Sequence, residues 1–201
     1  MISLAKKFRK NDDRDYITVV SGLPRSGTSM MMKMLEAGGL EILTDNIRTA
    51  DEDNPKGYYE FEPVKKMKQD TSWLPDAQGK GVKIISMLLQ DLPLDYHYKV
   101  IFIRRNMSEI LASQKQMLIR RGEPTDKVSD EELAVMYENH LRKIEAWLNK
   151  QTAFEILYVN YNECLKSPAK YSKKLNKFLD GKLNGANMAS VIDSSLYRQR
   201  S

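Results

Sequence analysis

Cys164 is the single cysteine among 201 residues, so no intrachain disulfide can form. With only His97 and His140 as histidines, the spacing of a zinc site is missing as well, and no metal ligand set is assigned. No stretch approaches the run of about 18 apolar residues that a membrane span requires. Residues 1–15 mix Lys6, Lys7, Arg9 and Lys10 with Asp12, Asp13 and Asp15, without the apolar core and small-residue cleavage site of a secretion signal. A cytoplasmic location is the resulting expectation, for one domain over 1–201 whose first 15 residues form a flexible extension. Nucleic-acid signatures are lacking too: there is no zinc finger and no glycine-arginine tract, and the basic residues are interspersed with Asp and Glu. What remains is a soluble-type composition, 41% apolar and 29% charged, with a net charge of +5 that favours an anionic partner.

Along the chain, residues 16–21 are rich in β-branched side chains and run into a Gly/Pro/Ser loop, as a buried parallel strand does. Met30, Met31, Met34, Leu35 and Ala37 then recur at helical spacing, and Gly38-Gly39 supplies a stop. The Met30, Met31, Met32 and Met34 cluster reads as core packing. Residues 40–44 read as a second short strand, 51–57 as a polar loop, 62–71 as a short charged helix and 82–85 as a further strand. Residues 99–104 form a clear central strand, and Asn106 with Glu109 predicts a capped helix over 107–120. Ser129 with Glu132 caps a longer helix to about Lys150, whose Leu133, Met136, Tyr137, His140, Leu141, Ile144 and Leu148 make an amphipathic stripe. A last strand at 154–159 precedes a final helix that begins at Ser167-Pro168 and stops near Asp180-Gly181. Alternating strands and helices predict a three-layer α/β sandwich with a central parallel sheet. Ligands bind such sheets at the carboxyl ends of the strands, so the loops after Ser21 and Arg104 share one rim.

The loop Gly22-Leu23-Pro24-Arg25-Ser26-Gly27-Thr28-Ser29 opens a helix and presents backbone N–H groups to an anion. A triphosphate loop requires Gly-x-x-x-x-Gly-Lys-Ser/Thr. Here Gly22 and Gly27 keep the spacing, but Thr28 occupies the lysine position and the cation is Arg25. The strand ending in Arg104-Arg105 also lacks the acidic residue that holds magnesium. Both departures favour a metal-free site neutralised by arginine. An atypical P-loop kinase or NTPase and a non-catalytic nucleotide-binding module are the alternatives.

This loop resembles the phosphosulfate loop of sulfotransferases that use 3′-phosphoadenosine 5′-phosphosulfate (PAPS), in the Pro-Arg-Ser-Gly-Thr form of tyrosylprotein and many bacterial members. Arg105-Asn106 followed by Ser113 is similar to the family's second signature, in which Arg and Ser grip the 3′-phosphate. Tyr158 to Glu163, with Ser167-Pro168 and Phe178-Leu179, resembles its tyrosine-acidic segment and final helix. The resemblance implies a P-loop-NTPase-like sulfotransferase fold and in-line transfer of a sulfuryl group to a hydroxyl or amine, on a small-molecule or carbohydrate acceptor. It further implies PAPS as donor, held by Pro24, Arg25, Ser26, Gly27, Thr28, Ser29, Arg105, Ser113 and Tyr161, with Arg25 catalytic at the bridging oxygen. The lysine-histidine arrangement of the cytosolic type is missing, since Lys83 is followed by Ile84, Ile85 and Ser86. Glu60, flanked by Tyr58, Tyr59 and Phe61, is the expected base, ahead of Asp45, Asp51, Glu52 and Glu62. Arg198 and Arg200 are the candidates for closing over the 3′-phosphate. Tyr58, Tyr59, Phe61, Trp73 and Met117 could equally line an aromatic acceptor site or pack as core, and His97 and His140 read as structural.

Overall fold

The computed structural model describes residues 15–45 and 59–192. Residues 1–14 of the expected N-terminal extension, the loop carrying Asp51 and Glu52, Tyr58, Arg198 and Arg200 all lie outside those residues. Among the described residues, four parallel strands form one sheet in the order β2-β1-β3-β4: β1 Tyr16–Gly22, β2 Gly81–Lys83, β3 His97–Arg104 and β4 Phe154–Asn160. The helices are α1 Thr28–Ala37, α2 Leu74–Ala77, α3 Met107–Arg120, α4 Asp130–Leu148, α5 Tyr161–Lys166, α6 Pro168–Phe178 and α7 Gly185–Ser190.

The period-2 alternation of strand side chains divides the interior into two cores. Ile17 and Val19 of β1 join Tyr98, Val100 and Phe102 of β3 on one face, under Leu141, Ile144 and Leu148 of α4. Val20, Ile101, Ile103 and Val159 point to the other face, where Met31, Met32, Met34 and Leu35 of α1 meet Leu175 of α6 and Met188 of α7. The predicted three-layer sandwich is therefore present, and the methionine cluster does pack: Met31, Met32 and Met34 are fully buried. Cys164 lies in the same core, where burial pushes its thiol up to about 12 and leaves it a small apolar filler.

Several boundaries differ from the sequence pattern. Residues 40–44 make only an isolated bridge, Ile42 to Gly81, because the chain turns away after Leu43 N–H bonds the Gly81 carbonyl at 2.8 Å. The charged helix expected over 62–71 is a five-residue 3-10 turn, Glu62–Lys66, with Pro63 at its start. Val64 and Met67, three residues apart, are both buried along it. The strand at 82–85 shortens to β2 and gives way to a second 3-10 turn, Ser86–Asp91. Asn106 precedes α3 as predicted but makes no side-chain cap; its amide donates to Glu109 Oε1 at 3.3 Å. By contrast the Ser129–Glu132 capping box is complete, with both reciprocal bonds formed. The short helices α2, α5 and α7 have no counterpart in the sequence reading; Asn160 caps α5 by accepting from Glu163 N–H at 3.0 Å, and Asn184 caps α7.

Ile144 is 2% exposed at the centre of the α4 stripe. Ile144→Ala should lower unfolding stability by about 2–5 kcal/mol through lost transfer energy and a residual cavity. Ser129→Ala should lower it by only about 1 kcal/mol, through loss of one cap. Urea titration of both variants checks the ranking; equal losses would mean that α4 is not anchored mainly by its apolar stripe.

Candidate active site

The loop between β1 and α1 is shaped by three residues with positive φ: Gly22 at 150°, Arg25 at 68° and Gly27 at 102°. Gly22 is required by close approach, since a Cβ there would sit 2.8 Å from the Ile103 carbonyl oxygen. At Gly27 a Cβ would fall 2.3 Å from Cδ2 of Tyr161. The loop therefore lies directly against β3 on one side and against the first residue of α5 on the other. Gly27 is also the N-cap of α1, where no side chain caps the helix and no acidic residue occupies the first turn. Its first N–H groups and the positive end of its dipole are thus suited to an anion. Inside the loop, Ser26 Oγ is buried without a hydrogen-bond partner, a polar atom that an oxyanion would satisfy.

Two arginines flank this cradle. Arg25 Nε donates to Ser113 Oγ at 2.9 Å, linking the loop to the second turn of α3. Arg105, just past the end of β3, donates through Nη1 to the Arg25 carbonyl at 3.0 Å and through Nε to Glu109 Oε2 at 2.7 Å. Its guanidinium lies 4.5 Å from the ring centroid of Tyr161, within cation–π range. Burial raises the Tyr161 phenol, Arg105 opposing, so the ring keeps its proton at neutral pH. Arg25, Ser26, Gly27, Arg105, Ser113 and Tyr161 are in this way brought together from three segments, with Pro24, Thr28 and Ser29 in the same loop and helix start. Tyr161 packs against Gly27 and under Arg105.

Glu60 lies in a cluster with Thr44, Asp45, Glu62 and Lys65. Its carboxylate is 3.6 Å from Lys65 Nζ, and its carbonyl accepts from Asp45 N–H at 3.2 Å and from the Thr44 hydroxyl at 3.0 Å. Asp45 Oδ2 accepts from Glu62 N–H at 2.6 Å, and Glu62 pairs with Lys65 at 2.5 Å. Of the aromatic residues considered for the acceptor, Phe61 and Trp73 pack edge to face at 5.5 Å in the first core, and the Tyr59 hydroxyl donates to Glu36 at 2.6 Å. Among the described residues no three His, Cys, Asp or Glu side chains converge as metal ligands.

Sequence reasoning passed over three residues near this rim. Glu109, read only as a helix-cap partner, is 1% exposed and receives Arg105, Asn106 and Asn162. Its spacing four residues after Arg105 was the available signal. Asn162 carried none, being 53 residues from its partner. His140, read as structural, reaches Ser86 Oγ at 2.9 Å where the chain leaves β2, and burial pushes its imidazole below the usual value, so it is neutral at neutral pH.

No curated protein matches the chain by sequence. Solved structures do match in fold: a mouse sulfotransferase complexed with PAP (3′,5′-diphosphoadenosine) aligns at TM-score 0.52 and 18% identity, over 94% of this chain and 67% of that one. The sulfotransferase domain of a Synechococcus olefin synthase aligns at TM-score 0.52 and 16% identity, over 98% of this chain and 88% of that one. A sulfotransferase domain from the curacin biosynthetic pathway aligns at TM-score 0.52 and 14% identity, over 82% and 74%. The family model of the sulfotransferase domain matches residues 15–200, nearly the whole length, and the chain accordingly belongs to the sulfotransferase-domain family.

Proposed function

We propose that the chain is a sulfotransferase that takes its sulfuryl group from PAPS and passes it to a hydroxyl or amine of a small-molecule or carbohydrate acceptor. The observation that carries this reading is the joining of two arginines, Arg25 and Arg105, across one uncapped helix N-terminus through the Arg25 carbonyl. Such a cradle suits a ligand with two separated phosphate-type groups. PAPS supplies an activated sulfuryl group on a phosphate leaving group. Ser26, Gly27, Thr28 and Ser29 offer N–H groups and hydroxyls to the 5′-phosphate, beside Pro24, while Arg105 and Ser113 offer cationic and hydroxyl donors to the 3′-phosphate. Arg25 provides fixed positive charge where the bridging oxygen gains negative charge, and it stays protonated throughout. Tyr161 supports the cradle by filling the space against Gly27 and under Arg105.

For the acceptor's proton, Glu60 is the proposed base, drawn from the acidic cluster beside Lys65. A second reading is favoured by the His140–Ser86 contact, which brings a neutral imidazole to the carboxyl end of β2, the end of the sheet where the phosphate loop also begins. A neutral imidazole is the form able to accept a proton.

Three measurements test these assignments. PAP at about 100 times its dissociation constant should stabilise the native state by about 2.7 kcal/mol without added metal, and more than ATP with magnesium does. A larger shift with ATP and magnesium would favour the kinase alternative. Arg25→Ala should lower kcat by about 10²–10³-fold, and a variant with unchanged kcat would remove Arg25 from the reaction. Glu60→Gln should lower kcat by at least about 10²-fold with PAP affinity unchanged; if His140→Gln carries that loss instead, the base is His140.

A further inference from the structure

We infer that Glu109 is a positioning residue for the donor site: it does not touch the ligand but fixes the Arg105 guanidinium in the orientation that reads a 3′-phosphate. The inference rests on the donor assignment above and goes beyond it by naming the residue that makes the second phosphate site.

The first argument is burial. Glu109 is 1% exposed and the Arg105 side chain 8%, so the pair is an ionic contact inside the protein. A buried ion pair is a poor way to gain stability, because desolvating both charges offsets most of their attraction. Apolar residues of similar volume would hold α3 in place as well. The carboxylate is tolerated because both its oxygens are matched: Oε2 accepts from Arg105 Nε at 2.7 Å, and Oε1 from Asn162 Nδ2 at 2.7 Å and Asn106 Nδ2 at 3.3 Å.

The second argument is connectivity. From Glu109 the contacts run to Arg105, from Arg105 Nη1 to the carbonyl of Arg25, and that carbonyl belongs to the one non-glycine residue of the loop with left-handed φ. Asn162 follows Tyr161, whose ring lies under the Arg105 guanidinium and against Gly27. One carboxylate thus ties the β1–α1 loop, the start of α3 and the start of α5 to a single guanidinium. It also places a negative charge directly on Arg105, which offsets the cost of holding that cation buried in the ligand-free protein.

The test compares dissociation constants of PAP and of AMP, which lacks the 3′-phosphate, for wild type, Glu109→Gln and Asn162→Ala by calorimetry. Wild type should prefer PAP, and Glu109→Gln should lose at least about tenfold of that preference while AMP affinity changes by less than about threefold. A merely structural carboxylate would weaken both ligands alike and leave their ratio unchanged, and that result overturns the inference. Should Glu109→Gln fail to fold, Asn162→Ala replaces it; removing one donor while keeping the charge should reduce the same ratio by about threefold, and an unchanged ratio again overturns it. A wild-type protein with no preference for PAP over AMP would instead sink the donor assignment itself.

Discussion

The parallel pairing of β1 with β3, held in register from Tyr16 opposite His97 to Gly22 opposite Ile103, is the constraint on which the site depends. It brings both strands to an end at the same level, so that the loop from Leu23 and the residues Arg104-Arg105 emerge side by side. With no Cβ on Gly22, the loop can leave the sheet in contact with the Ile103 carbonyl. Arg105 can then reach the Arg25 carbonyl with its own side chain. A bulkier residue at 22, or a one-residue slip of β3, would separate the two arginines before any ligand arrived.

Legibility in the sequence followed the range of the interactions involved. The strands β1, β3 and β4 and the helix α4 were visible because each is specified by its own residues: β-branched runs, an apolar stripe, a Ser129–Glu132 box. The loop glycines and Arg25 stand out by their spacing, whereas Arg105 and Ser113 stand out only through the resemblance to the family's second signature. The segment between α1 and β3 was read poorly, as its short strand, isolated bridge and two 3-10 turns take their form from the edge of the sheet and not from local period. Asn162 meeting Glu109 and His140 meeting Ser86 are separated by 53 and 54 residues, and no local pattern encodes such contacts. For Glu60 the apolar neighbours in sequence suggested an apolar setting; in space its carboxylate meets Lys65.

Charge compensation explains why the cradle is built with more than one arginine. Arg25 alone could balance a single phosphate-type group. Arg105, whose Nη1 bonds the Arg25 carbonyl, brings a second cation to the loop, and Glu109 supplies its counter-charge at Nε. Together Arg25, Arg105 and Glu109 leave one net positive charge, to which the α1 N-terminus adds its partial charge. On the proposed donor assignment, a nucleotide with two phosphate-type groups balances these charges better than inorganic sulfate, which brings only one such group. The same logic accounts for Thr28 in the place of a lysine: a third full cation at the helix start would be repelled by the two already present, whereas a hydroxyl adds a donor without adding charge.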